Sequence, residues 1–345
     1  MARLAQLKLS MTFTVLLVAI IFSIFLGIIM ALFSLPLIYA VFGTIIFILI
    51  QYLVGPEIVK WSTGLRYLRQ GENPWLEATV KELAQKSGIP SPRLAVVPDP
   101  TPNAFVFGKS RGGATLAVHE GLLKELDQAE IRGVIGHELG HVKHRDFMVM
   151  TALSALPLLA YLIARGTFEV AIFSGARTRK KEGGGVGAAL LAAASISYVV
   201  YIVSLLCVMR LSRLREHYAD AYSAYVTGSP RELESALTKI TYGLSLAPTP
   251  PHGARALFIG DPALAKQECR GIIQRKTEYD LDKDGVLDEK ELEIAMEKEA
   301  KSTWIKINTS FATHPPTYKR ILLLREIDNE MASGKFSSSR IYAKI

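Results

Sequence analysis

Met11 to Gly55 contains no charged side chain, and this run limits what the chain can fold into more than any other feature. Pro36 divides it into two stretches of roughly 20 residues, each long enough as a helix to cross a ~30 Å hydrocarbon core. Two further uncharged runs follow, Phe147 to Ala164 and Gly183 to Met209. With 50% hydrophobic residues the chain carries more apolar surface than a soluble enzyme needs, and these runs are the reason. Four transmembrane helices are expected. The first run is too long for a cleavable signal peptide, lacks a small-residue cleavage site and leads directly into a second span, so it is expected to persist as an anchor.

The polar chemistry lies between and after these runs. In His137-Glu138-Leu139-Gly140-His141 two histidines stand at i and i+4, one turn apart on one helix face, where they can grip a single zinc ion. Glu138 lies beside them, placed to take a proton from a zinc-bound water. Downstream, Glu216-His217-Tyr218-Ala219-Asp220 offers Glu216 as the third ligand, giving a His2Glu set with one coordination position open for chemistry. Asp220, one turn beyond Glu216, is placed to orient a ligating imidazole. His144 falls on the same face as His137 and His141; a polar residue where the helix meets the membrane is the preferred reading over a further ligand. The metzincin continuation is absent, since Arg145-Asp146-Phe147 interrupts it.

Between the first pair of spans and the histidine motif the pattern is α+β. Leu76, Val80, Leu83 and Ala84 recur at helical spacing up to Gly88-Ile89-Pro90. Short strands are predicted at Arg93–Val97, Ala104–Gly108 and Ala114–His119. An edge strand beside such a centre binds substrate by strand addition, backbone to backbone. Asn103, at the opening of the middle strand, either serves that purpose or makes a turn, and Phe105 is read as core. The fold class expected is therefore mainly α with a small β-sheet, an integral membrane metallopeptidase of the gluzincin type.

Four motifs occur in a set order: Pro102-Asn103-Ala104-Phe105, His137 to His141, Glu216 to Asp220, and Phe311-Ala312-Thr313-His314-Pro315-Pro316. In this the chain resembles the HtpX-like membrane metalloproteases, relatives of the CAAX prenyl proteases, from the first apolar hairpin to Leu324. The resemblance implies a zinc-dependent endopeptidase that cleaves damaged or misassembled membrane proteins. It implies zinc on His137, His141 and Glu216, with Glu138 as catalytic base. It also implies that His314 and Arg320 approach the site, His314 to stabilise the oxyanion of the tetrahedral intermediate and Arg320 to contact substrate. A helix-start role before Pro315 is the alternative for His314.

One segment departs from that family. Asp280-Leu281-Asp282-Lys283-Asp284-Gly285-Val286-Leu287-Asp288-Glu289-Lys290-Glu291 matches a twelve-residue EF-hand loop. Asp280, Asp282 and Asp284 would supply oxygens, Val286 its carbonyl, Asp288 a bridging water and Glu291 both carboxylate oxygens to one Ca2+. Flanking helices are expected from Leu264 to Tyr279 and through Leu292, Ala295, Met296 and Ala300. No second loop accompanies it, so it is read as structural, paired between chains or weak.

The expected organisation is a hairpin over 1–55, a catalytic part over 56–146, a second hairpin over 147–210, the third-ligand segment over 211–262, the EF-hand-like insert over 263–307 and a last catalytic segment over 308–345. Two spans separate the histidines from Glu216, so both face one side. Arg3, Lys8, Lys60, Arg66, Arg69, Lys143, Arg145, Arg210, Arg213 and Arg215 flank that side, and the positive-inside rule makes it cytoplasmic, with both termini. Arg165, Arg177, Arg179, Lys180 and Lys181 oppose this. Either the first hairpin sets the orientation or the last two helices do not fully cross. The formal charge of +8 is assigned to anionic lipid rather than nucleic acid, because the basic residues gather beside the spans. Two cysteines, Cys207 and Cys269, form no disulfide framework.

Three rivals remain: an inactive calcium-responsive membrane adaptor, against which intact Glu138 argues; a prenylated-peptide processing protease, which would carry more spans; and a metal transporter, which would need ligands inside the spans. The partners expected are the bilayer and unfolded or membrane-protein substrates.

Overall fold

A computed structural model describes residues 2–32, 34, 36–177, 184–246, 258–283, 291, 292, 294, 295, 298, 312 and 314–336. Chain contacts divide it into two compact units. One comprises Gln6–Gly55 and Val149–Leu211, the other Met1–Ala5, Pro56–Met148 and Ser212–Ile345.

Among its described residues the apolar unit is helical apart from Ser34 and Pro36. Helices α1 (Ala2–Leu32) and α2 (Leu37–Thr63) are separated at the Pro36 break, α6 spans Asp146–Arg177 and α7 spans Gly184–Thr227. All four are long and apolar enough to cross a membrane. Within this unit Val18, Phe22, Phe25 and Ile29 of α1 pack with Ala40 of α2, Leu156 and Ala160 of α6 and Ala193 of α7. The small residues allow close helix approach, which serves where lipid removes the hydrophobic drive to pack. Phe13, Ile20 and Ile24 of α1 and Phe42, Ile45 and Leu49 of α2 are exposed, an apolar exterior suited to lipid and not to water. The helices outrun the uncharged runs. Arg165, beyond the third uncharged run, lies within α6 and pairs with Glu169 one turn on at 2.8 Å. Arg177 ends that helix, and Arg179, Lys180 and Lys181 lie outside the described residues.

The polar unit begins with a four-stranded sheet in the order β1-β2-β4-β3. The strands are β1 (Arg66–Tyr67), β2 (Arg93–Val97), β3 (Ala104–Phe107) and β4 (Thr115–His119). β4 is central, parallel to β2 and antiparallel to β3, and all five of its residues are buried. The middle strand stops at Phe107, one residue short of the sequence expectation, because Gly108 takes φ 152° with the Gly113 carbonyl only 2.6 Å from where a Cβ would stand. β1, two residues long, has no periodic signature and was not expected.

Helix α3 (Pro74–Ser87) follows local rules throughout. The Asn73 side chain caps its start by accepting from Leu76 N, Pro74 takes the first turn, and Gly88 closes it in the left-handed conformation at φ 61°. Leu116 and Val118 of β4 face a core that includes Leu83 of α3 and Ile135 and Leu139 of α5 (Gln128–His144). Ala117 points the other way, against Phe105 and Phe107 of β3, as strand alternation requires. A short α4 (Glu120–Glu125) links the sheet to α5, whose first turn is closed by a capping box of Asp127 and Glu130. Helix α8 (Pro230–Leu246) buries Leu233, Leu237, Ile240 and Leu244 in the same core. Helices α9 (Pro262–Gln274), α10 (Lys276–Tyr279) and α11 (Thr317–Ala332) follow among the described residues.

Glycines set how near α5 comes to its neighbours. A Cβ on Gly133 would stand 2.6 Å from the backbone nitrogen of Leu233 at α8, and one on Gly140 would stand 3.1 Å from Ala219 Cα on α7. Backbone cannot yield as a side-chain tip can, so Gly133→Ala is expected to lower stability by about 1–3 kcal/mol, read as a fall in the melting temperature of the detergent-purified protein.

Candidate metal centre

Helix α5 presents His137 and His141 on one face, and α7 brings Glu216 to meet them. His137 and Glu138 are buried, as are Glu216, Asp220, His314 and Arg320. The Nε2 atoms of His137 and His141 lie 3.2 Å apart. Glu216 Oε2 is 3.5 Å from His137 Nε2, and Glu216 Oε1 is 3.4 Å from His141 Nε2. Tetrahedral zinc with bonds of ~2.0–2.1 Å would separate its donors by about 3.3–3.4 Å. The donor set thus fits a metal ion without rearrangement. Glu216 Oε2 is buried without a hydrogen-bond partner among the described residues, a further sign that a cation belongs there.

Each histidine is held from behind by a carboxylate. His137 Nδ1 lies 2.9 Å from Asp220 Oδ1, and His141 Nδ1 lies 2.7 Å from Asp146 Oδ2. These contacts place the proton on Nδ1 and leave both Nε2 lone pairs for a metal. Asp146 was not singled out from sequence. The signal was present in its position five residues after His141, but the return depends on Arg145, which ends α5 in the left-handed conformation at φ 62°. Arg215 of α7 donates to the other oxygen of Asp146, so the residue before Glu216 clamps the partner of His141.

Behind Asp220 stands Arg320. Its Nε and Nη2 bind the two oxygens of Asp220 at 2.9 and 2.7 Å, and Nη1 donates to the carbonyl of Ile259 at 2.5 Å. Nη1 also lies 3.6 Å from Glu216 Oε2. Nη2 lies 3.4 Å from His137 Nδ1. The guanidinium therefore faces the side chains that could hold a metal ion. His314 Nε2 lies 3.9 Å from Glu216 Oε1, so α11 and the segment before it close one side of the centre. Asn103 is fully buried. Its Oδ1 accepts from Ile259 N at 2.9 Å and its Nδ2 lies 3.4 Å from His119 Nε2. Asn103 and Arg320 thus grip the two sides of one residue, Ile259. His144 turns away from the centre, against the rings of Tyr218 and Tyr222, and burial holds it neutral with a pKa lowered to about 4.

Burial raises the Glu138 carboxyl above its ordinary value, against the pull of His141 and His137. His314 is lowered by burial, although Glu216 opposes this, so it is a neutral imidazole at pH 7. Burial would lower His137 and His141, but carboxylate hydrogen bonds outweigh it and leave both raised in the metal-free protein.

In the acidic segment, Asp280, Asp282 and Glu291 bring carboxylate oxygens within 4.8 Å of one another. The remaining positions, Asp284, Val286 and Asp288, lie outside the described residues, as do Gly285, Leu287, Met296 and Ala300 around them. Phe311 and Thr313 of the last motif lie outside them too. Before the segment the expected stretch is helical in two pieces, α9 and α10, and after it the described residues Glu291, Leu292, Ile294, Ala295 and Lys298 are helical.

Removing the support behind a ligand should weaken metal binding. Asp220→Ala is expected to lower zinc affinity about 10–100-fold, measured by competition with a chromogenic chelator.

The family model for peptidase family M48 matches residues 70–328. "Protease HtpX homolog" of Aeropyrum pernix is 35% identical over 287 residues, covering 80% of this chain and 82% of that protein. "Protease HtpX homolog 2" of Methanosarcina mazei is 31% identical over 326 residues, covering 93% and 95%. The crystal structure of S. mikatae Ste24p aligns with a TM-score of 0.47 at 15% identity, over 93% of this chain and 67% of that one. With its four apolar helices and its His-His-Glu cluster, the chain belongs to peptidase family M48 as a multi-pass membrane metalloprotease.

Proposed function

We propose that this protein is a zinc endopeptidase that cleaves damaged or misassembled membrane proteins. The observation that carries the reading is the convergence of His137 Nε2, His141 Nε2 and Glu216 at tetrahedral donor spacing beside the buried Glu138. Zinc on these donors would polarise the scissile carbonyl and lower the pKa of a water toward ~7. Glu138 accepts a proton from the attacking water and returns it to the departing amine, a role its raised pKa suits. His314, neutral and buried, donates its N–H to the oxyanion.

Substrate binds along β3, which ends the sheet order and leaves an edge for backbone pairing. Asn103 and Arg320 act on substrate indirectly, by fixing Ile259 and the start of β3. The cleaved segments are juxtamembrane or cytoplasmic, because the ligand Glu216 follows the apolar run ending at Met209 by a few residues. The centre and both termini lie on the cytoplasmic side, by the excess of Lys and Arg flanking the spans.

The test is proteolysis of an unfolded substrate by the detergent-purified protein. Chelation should abolish cleavage and zinc restore it. Glu138→Gln is expected to retain zinc and lose about 10²–10⁴-fold in kcat; a variant that binds zinc and cleaves as well as wild type would remove Glu138 from the mechanism.

The acidic segment is proposed to bind one Ca2+ through Asp280, Asp282, Asp284, the Val286 carbonyl, Asp288 through water, and both oxygens of Glu291. The meeting of three of these carboxylates supports it. Calcium is expected to raise the melting temperature of the wild type and not of Glu291→Gln, and unchanged melting on titration would count against the site.

A further inference from the structure

Helix α11 begins in an unusual way. His314-Pro315-Pro316 leads into Thr317, and Pro316, at the N-cap position, makes no side-chain cap hydrogen bond. Neither proline has an N–H, so the first backbone donor of the helix is that of Thr317. It is met from another element: Glu268 of α9 accepts from Thr317 N at 2.9 Å through Oε1. The Thr317 hydroxyl is held in turn by Thr241 of α8 at 2.9 Å. Glu268 is only 6% exposed, so this is a buried carboxylate supplying the cap that the helix's own chain lacks.

Arg320, one turn further along α11, grips Asp220 with two hydrogen bonds, and Asp220 holds His137. The path from Glu268 to a metal-binding imidazole thus runs through Thr317 N, one helical turn, Arg320 and Asp220. Apolar packing follows the same course. Cys269, the neighbour of Glu268, packs in one cluster with Ile272, Leu292, Ala295 and Ile321, the neighbour of Arg320.

We propose that Glu268 is a positioning residue for the metal centre: as a carboxylate it fixes the start of α11, and through Arg320 and Asp220 it sets the orientation of His137. An anion at a helix N-terminus is favoured by the helix dipole and by the free donor there. Glu268 touches neither metal ligand nor substrate, and the inference rests on the zinc-peptidase reading above.

The charge on Glu268 comes at a cost to stability. Burial raises its carboxyl to about 7, while the Thr317 hydrogen bonds and Arg320 pull it down and Asp261 pushes it up. Tyr318 and Cys269 also face it. A carboxyl whose folded pKa is raised from 4.5 holds its proton longer in the folded protein than in the unfolded chain. Folded-state stability therefore falls as pH rises from about 4.5 through about 7, and this loss is absent when residue 268 is a neutral amide.

The experiment compares wild type, Glu268→Gln and Glu138→Gln in the full-length purified protein between pH 5.5 and 8. Three quantities are read: melting temperature, zinc affinity by chelator competition, and kcat and KM on an unfolded substrate. Glu268→Gln is expected to melt at or above wild type at pH 8. There it should bind zinc about tenfold more weakly and lose about tenfold in kcat with KM within twofold. At pH 5.5, where wild-type Glu268 is protonated, the variant and wild type should agree in all three. Zinc affinity and kcat within twofold of wild type at both pH values would overturn the proposal, as would a loss of the same size at both.

Wild-type cleavage that Glu138→Gln lacks establishes the peptidase whatever Glu268→Gln does. Should no protein cleave, the zinc-affinity comparison still settles the role of Glu268. If Glu268→Gln does not fold, Thr317→Pro is read in its place, since proline is accepted at a first helical position and removes the N–H that Glu268 accepts. A tenfold loss of zinc affinity at pH 8 supports the proposal, and unchanged affinity overturns it.

Discussion

Glu216 reaches two imidazoles on another helix only because α5 and α7 come close enough for Gly140 to lie against Ala219. A Cβ on Gly140 would stand 3.1 Å from Ala219 Cα and 3.3 Å from Tyr222 Cβ. At that separation a glutamate one turn before Asp220 meets both Nε2 atoms, whereas a larger residue on either side would draw the carboxylate out of their reach. Gly136 extends the contact, facing Ser223 Oγ at 2.8 Å from its missing Cβ, and Ser223 donates to the Gly133 carbonyl at 2.6 Å. The remaining parts of the polar unit hold this one approach in place: the sheet behind α5, the capping box at its start, and α8 against Gly133.

The centre that results is a buried cluster of charges, and such clusters are costly unless every member is paired. Here they pair in two ladders. Arg320, Asp220 and His137 form one, Arg215, Asp146 and His141 the other, and both converge on Glu216. Desolvation that would count against isolated charges strengthens the attraction within each ladder. It also fixes ring orientation, which a metal centre requires and a surface ion pair cannot provide. Three donor atoms, Glu216 Oε2 and the two Nε2 atoms, converge where a cation would complete the arrangement.

Ile259 occupies a similar hub on the other side. Asn103 takes its N–H and Arg320 its carbonyl, so the loop before α9 joins the opening of β3 to the support of His137. His119, at the end of β4, completes the junction through Asn103 and the carbonyl of Thr101 at 3.1 Å. The sequence motif containing Asn103 thus bears on the centre through backbone anchored at long range, from position 103 to position 259, a separation that no local pattern encodes.

Much of the molecule was legible in order along the chain. The uncharged runs specified apolar helices through length alone, Gly88-Ile89-Pro90 marked the end of α3, and i, i+4 spacing put His137 and His141 on one face. Short-range rules suffice there because the interactions are themselves short-range. Asp146 and Glu268 were not legible. Asp146 returns to His141 only because Arg145 takes a left-handed turn, and Glu268 meets Thr317 across elements that the sequence separates. The acidic segment lay between these cases: its spacing was explicit, and three of its carboxylates are seen to meet. The sequence by itself determined the candidate ligand types, their spacing on each helix and the apolar spans, since periodicity and composition act locally. Only the tertiary structure decided which carboxylate stands behind each histidine, what Arg320 holds and what caps α11, since those contacts depend on packing distances between helices far apart in the chain.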